Sequence, residues 1–68
     1  MANYRIGSRG SDVEELQRLL NQNGANLTVD GIYGRGTDTA VRNYQRSKGL
    51  SVDGIAGANT FASLRGTS

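Results

Sequence analysis

Few kinds of side chain in this sequence can do chemistry. Asp, Glu, Lys, Arg, Ser, Thr and Tyr are present, but histidine and cysteine are absent from all 68 residues. That removes the commonest general base, the commonest metal ligand and the thiolate nucleophile. A carboxylate pair, the machinery of glycoside hydrolysis, is the remaining catalytic option. The carboxylates are Asp12, Glu14, Glu15, Asp30, Asp38 and Asp53. Ser11-Asp-Val-Glu14 has the S-x-x-E form of a capping box, which commits Glu14 to the backbone at a helix start. Asp12 and Glu15 fall in the same first turn, where acids offset the helix dipole. Asp30-Gly31 and Asp53-Gly54 read as tight turns, with each Asp bonding its own downstream backbone. These roles account for every acid but Asp38, and a chain this short has little room for a water-excluding cleft. The sequence predicts a protein that is not an enzyme.

The two Asp-Gly turns lie 23 residues apart, each ahead of a helical pattern, which raises the question of calcium. With Gly31 at the sixth position of a calcium loop, Asn26, Thr28, Asp30 and Thr37 take the ligand positions. With Gly54 there, they are Gly49, Ser51, Asp53 and Thr60. Each loop supplies one carboxylate where several are needed. No metal and no cofactor are expected.

Charge excludes further classes. Eight basic residues against six acidic give a net charge of +2, and the basic residues are scattered. Arg42, Arg46 and Lys48 share one helical pattern, but the separating loops exceed a helix-turn-helix turn. Neither charge nor pattern argues for nucleic acid. No apolar run approaches the ~18 residues of a membrane span. The N-terminus lacks the apolar stretch of a signal peptide. The chain as given is therefore expected to be cytoplasmic as made, released by lysis, or a piece of a longer exported protein.

The elements that position these side chains are marked by ten glycines and no proline. Leu27-Thr-Val-Asp-Gly-Ile-Tyr-Gly-Arg-Gly-Thr37 aligns with Leu50-Ser-Val-Asp-Gly-Ile-Ala-Gly-Ala-Asn-Thr60. From Leu27 to Val41, seven of fifteen positions are identical to the residue 23 further on. Two copies are too few for a solenoid and read as pseudo-symmetric halves of one core. Each copy is a Gly-rich loop followed by a helix, with Gly34 and Gly57 as N-caps. Ala40, Val41, Tyr44 and Lys48 form the stripe of one helix, which Gly49 ends as the C′ residue, with Leu50 folding back on Tyr44. Thr60, Phe61 and Leu64 belong to a short final helix. An earlier helix starts at Ser11, buries Val13, Leu16, Leu19 and Leu20, and stops at Asn23-Gly24. Leu27-Thr-Val29 and Leu50-Ser-Val52 are expected at most to pair as a minimal ribbon. The expected fold is all-α: a compact three-helix domain spanning 1–68 with its core at about 4–65.

Three blocks carry a resemblance: Gly7-Ser-Arg-Gly10-Ser-Asp-Val13-x-x-Leu16-Gln17-x-x-Leu20, then Val29-Asp30-Gly31-Ile32-Tyr33-Gly34-x-x-Thr37-x-x-Ala40-Val41-x-x-Tyr44-Gln45-x-x-x-Gly49-Leu50, then Asp53-Gly54-Ile55-x-Gly57-x-x-Thr60-x-x-x-Leu64. Together they make the chain resemble, from about Tyr4 to Leu64, the peptidoglycan-binding domain appended to cell-wall hydrolases and phage endolysins. The resemblance implies a compact three-helix module and non-catalytic binding of peptidoglycan, through its glycan strand, its stem peptide or both. It also implies a covalently linked hydrolase domain, an extracellular or cell-wall setting, and no nucleic acid or membrane partner; a monomer is expected. Tyr33 and Tyr44 stand where the family more often has Phe. Ala56 replaces an aromatic in the second loop, and Arg35 and Ala58 stand where the family often has Pro.

Peptidoglycan calls for an aromatic platform, amide-like hydrogen bonding and a cation. Tyr33, near a loop tip between Gly31 and Gly34, either stacks on a ligand or packs inward. Arg35, beside it, is the candidate partner for a stem carboxylate. Asp30, Arg42, Asn43 and Tyr44 complete the candidate set, although Asp30 is a turn former first and Tyr44 lies on the core stripe. Gln17 and Gln45 are expected to brace loops rather than touch ligand. The rival reading is a protein–protein docking module with no affinity for the wall.

Overall fold

A computed structural model describes residues 3–66. It contains three helices: α1 (Ser11–Gln22), α2 (Arg35–Ser47) and α3 (Ala58–Leu64). The expected apolar stripes form the core, where Val13, Leu16 and Leu20 of α1 meet Val41 and Tyr44 of α2 and Phe61 and Leu64 of α3. Leu19, Ala40 and Leu50 pack around it half-buried. Lys48 stays exposed, its ammonium 5.9 Å from the Tyr44 ring centroid.

The N-terminus of α1 departs from the capping-box expectation. Gly10, not Ser11, is the N-cap, and no side chain caps the helix. The reason is pairing outside the helix. The Gly10 N–H donates to the Gly31 carbonyl at 3.0 Å, and its own carbonyl accepts from Val13 and Glu14. That holds Gly10 at φ 129, a left-handed value that glycine adopts at little cost. Ser11 is thereby already helical, and Glu14 reaches Arg18 at 3.5 Å instead of the backbone.

Both longer helices end as expected. The Leu50 N–H donates to the Gln45 carbonyl and that of Gly49 to Arg46, the paired bonds of a Schellman motif. Ala25 to Leu20 and Gly24 to Asn21 repeat the arrangement after α1. Gly34 and Gly57 are the N-caps of α2 and α3.

The expected ribbon does not form. Among the described residues the isolated bridges join Tyr4 to Ala56 and Arg9 to Ile32. Segment 4–10 pairs instead with the chain beyond the expected strands: Tyr33 N–H donates to Ser8 O and Ala56 N–H to Tyr4 O. The N-terminal segment thus laces both repeated loops to one face of the bundle.

Two buried glutamines fix those loops from within. The Gln17 side-chain NH2 donates to Asp30 Oδ1, the Ile32 carbonyl and Thr37 Oγ1 at 3.0–3.1 Å, and its Oε1 accepts from the Asp30 and Gly31 N–H groups. Gln45 does the same with Asp53, Ile55, Thr60 and Gly54. A primary amide with two donors and one carbonyl suits this task, because each turn presents N–H and C=O groups that burial would otherwise leave unpaired.

Candidate functional site

A groove of about 360 Å³ lies between the end of α1, the following loop and one face of α2. Two ridges of α2 build one side. Gly36, Ala40 and Tyr44 recur every four residues, and so do Thr39, Asn43 and Ser47. At 3.6 residues per turn, positions four apart stack along one helix face. The opposite side is Leu20, Asn23, Ala25, Asn26 and Leu27. Asn21 holds that wall in place: its Nδ2 donates to the Leu27 carbonyl at 3.0 Å and its Oδ1 accepts the Leu27 N–H at 2.7 Å.

The groove has an apolar floor of Leu20, Ala25, Leu27, Ala40 and the Tyr44 ring, and a rim of amides and hydroxyls. Tyr44 is only 7% exposed, and its hydroxyl shares a 2.6 Å hydrogen bond with Ser63 on α3, so the ring is what faces the groove. Asn43 Oδ1 accepts from Arg46 at 3.2 Å. Asn23 Nδ2 donates to the Leu19 carbonyl at 2.8 Å.

Of the residues singled out from the sequence, Asn43 and Tyr44 meet in this groove. Asp30 lies in an adjoining hollow of about 310 Å³ that shares Asn26, Leu27 and Gly36 with it. The Asp30 Oδ1 also accepts the Ile32 N–H at 3.0 Å, as a turn-forming Asp should. That backbone bond, followed by the Gln17 amide, holds its carboxyl below the usual carboxylate value. Arg35 is exposed at the start of α2 and lines neither hollow. Arg42 stands apart too: it pairs with Asp38 at 3.1 Å and reaches the Asp53 carbonyl at 3.4 Å.

Of the two alternatives for Tyr33, stacking on a ligand or packing inward, the structure takes the inward one. Tyr33 is 1% exposed, and its hydroxyl donates to the Gly54 carbonyl at 2.7 Å. Burial, and secondarily the Asp38 carboxylate, push the phenol well above its ordinary pKa of 10.0. The glycines beside it curve the chain inward rather than presenting a tip. Ala56, its counterpart in the second loop, is buried as well.

Asn23, Asn26, Thr39 and Ser47 were not foreseen. The spacing of Thr39, Asn43 and Ser47 beside small Gly36 and Ala40 is a legible signal: a polar ridge next to a shallow one. The asparagines carry no such signal, since they reach the groove only through the loop path that Asn21 sets. Among the described residues, no cluster of three or more His, Cys, Asp or Glu could hold a metal ion.

Fold and groove define a small three-helix module with a groove on its surface that is lined by uncharged residues. The sequence profile of the peptidoglycan binding domain matches residues 9–64, and the chain belongs to that family. It is 53% identical over 55 residues to a spore cortex-lytic enzyme of Bacillus cereus, covering 79% of this chain and 21% of the relative. The chain thus spans about a fifth of that enzyme's length. Its fold matches the crystal structure of a Burkholderia AP3 phage endolysin with a TM-score of 0.93 at 45% identity, covering 98% of this chain and 26% of the endolysin. The crystal structure of the SleB N-terminal domain matches with a TM-score of 0.90 at 46% identity, covering 94% of this chain and 89% of that domain. The fold is the expected all-α three-helix domain.

Proposed function

We propose that this chain is a non-catalytic module that binds peptidoglycan through the groove between α1 and α2 and holds a covalently linked cell-wall hydrolase on its polymer. The observation that carries the reading is the groove itself: an open trough with an apolar floor and an amide rim, on a domain of this family. Asn43 and the Tyr44 ring contact the ligand there. Asp30 lies on the path that a longer strand takes into the adjoining hollow, whereas Arg35 and Arg42, which line neither hollow, do not touch it. The module works outside the cell or in the wall, as a monomer. Tethering raises the local concentration of the linked enzyme, so each contact can be weak.

The test is co-sedimentation with purified insoluble peptidoglycan. The chain pellets at low salt, and Asn43→Ala leaves more of it in solution. A chain that stays wholly in the supernatant while a positive control pellets sinks the reading.

One observation favours protein docking as a second reading. Ile6 and Ile32 are 57% and 45% exposed, and a backbone bond from Gly7 to Tyr33 brings their segments together. Adjoining exposed aliphatics, unlike single scattered ones, begin an apolar patch of the kind a partner protein covers. If docking is the function, Ile6→Ser abolishes capture of the partner domain and peptidoglycan is not bound.

A further inference from the structure

We infer that the α1–α2 groove recognises the acetamido groups of N-acetylated sugars, and so reads the glycan strand rather than the carboxylate-rich stem peptide; this rests on the peptidoglycan-binding reading above. Three observations lead there. First, no lining residue carries a charge: the groove is Leu, Ala, Gly, Asn, Thr, Ser and Tyr throughout. Two cations contact its lining residues from outside and are engaged there, Arg46 on Asn43 Oδ1 and Lys48 over the Tyr44 ring. A carboxylate seated in the groove would lose water and gain no cation among the lining residues, a costly exchange.

Second, beside Asn26 and Thr39, the groove offers a donor and an acceptor from two different elements. Arg46 occupies Asn43 Oδ1, which leaves the Asn43 NH2 without a protein partner among the described residues. Leu19 occupies the Asn23 NH2, which leaves the Asn23 Oδ1 as acceptor. A secondary amide needs both, a donor for its carbonyl and an acceptor for its N–H. Third, the floor between these amides is aliphatic and aromatic, a surface for a methyl group and a sugar face. An acetamido sugar presents all of these in one unit: methyl, C=O, N–H and pyranose face. A plain hexose lacks the first three, and a stem peptide adds charges that the groove does not answer.

The experiment is a 1H–15N NMR titration of the intact chain with three probes: tri-N-acetylchitotriose, cellotriose and a free stem tetrapeptide. Chitotriose is expected to move the backbone and side-chain amide signals of Asn23, Asn26 and Asn43 together with Thr39, and cellotriose to leave them in place. Asn43→Ala, with an otherwise unchanged spectrum as proof of folding, should weaken chitotriose binding about tenfold, the loss of one well-made hydrogen bond. The inference is overturned if chitotriose at millimolar concentration moves none of these signals, if cellotriose moves them equally, or if the tetrapeptide moves them and chitotriose does not. Sedimentation with whole peptidoglycan separates the two levels. A chain that still pellets after any of those outcomes retains its peptidoglycan function and loses only the acetamido assignment. A chain that does not pellet loses both.

Discussion

The Tyr33 hydroxyl donates to the backbone carbonyl of Gly54, tying the first Asp-Gly loop to the second across the core. The two loops are alike in sequence but not in what they bury, for the first buries the Tyr33 ring where the second buries only the methyl of Ala56. Tyr33→Ala should therefore cost about 3–5 kcal/mol, as large-to-small aromatic changes in cores do. In a domain this small that is a large part of the total stability. Tyr33→Phe keeps the ring and strands only the Gly54 carbonyl, so it should cost about 1 kcal/mol. Urea denaturation followed by circular dichroism checks the order. A Tyr33→Ala protein as stable as the parent would place the ring at the surface after all.

Gln17 and Gln45 make the sharper case. Replacing Gln17 with Glu exchanges a donor group for a carboxylate that faces Asp30 Oδ1 and the Ile32 carbonyl, both of which it now repels. The variant should lose at least about 2 kcal/mol at neutral pH. Burial and the neighbouring Asp30 charge raise the folded-state pKa of the new carboxyl. Its penalty is therefore largest above that pKa and shrinks as acid protonates it. Stability of Gln17→Glu relative to the parent should thus rise as pH falls; a constant difference across the titration would contradict the placement of the amide.

The parent itself should weaken in acid. The Ile32 and Ile55 N–H groups, each bonded to the Oδ1 of the Asp two residues earlier, are the main cause that holds the Asp30 and Asp53 carboxyls below their ordinary value of 3.8. A lowered folded-state value means that the unfolded chain takes up the proton first. The contribution is complete above pH 3.8 and is lost as pH falls through the lower folded-state values. Melting temperature followed from neutral pH into strong acid should show this decline. Asp30→Asn should flatten it, because the amide oxygen still accepts the Ile32 N–H but no longer titrates.

The helices and their core were legible because the stripe of Val13, Leu16 and Leu20 and that of Val41 and Tyr44 obey one period. The bracing by Gln17 and Gln45 was legible too: each follows a core position, so its side chain must be satisfied inside. The cap at Gly10 was not, because it depends on a bond to Gly31, twenty-one residues away, that overrides the local S-x-x-E pattern. The inward turn of Tyr33 was one of two open alternatives for a related reason. Its path is set by segment 4–10 pairing with the loop, a contact that no local spacing encodes. Asn43 and Tyr44 both line the groove because helix geometry sets their faces, whereas Asn23 and Asn26 depend on a loop that only the fold arranges.

Gly36 separates stability from binding within the groove. It lies in the first turn of α2, exposed, with an ordinary helical backbone. A methyl added there meets only Leu27 Cδ2, at 3.8 Å, an ordinary contact that closes part of the trough between α2 and the loop. Gly36→Ala should stabilise the helix by about 0.5 kcal/mol, since alanine loses less backbone entropy than glycine. The same methyl narrows the end of the groove that Leu27 and Ala40 share, so co-sedimentation with peptidoglycan should fall even as the melting temperature rises. Asn43→Ala supplies the complementary case, with stability within about 0.5 kcal/mol of the parent at an exposed site and weaker sedimentation. If Gly36→Ala proves more stable and pellets as well as the parent, the ligand does not enter between Leu27 and Ala40, and the binding surface must be sought on another face of α2.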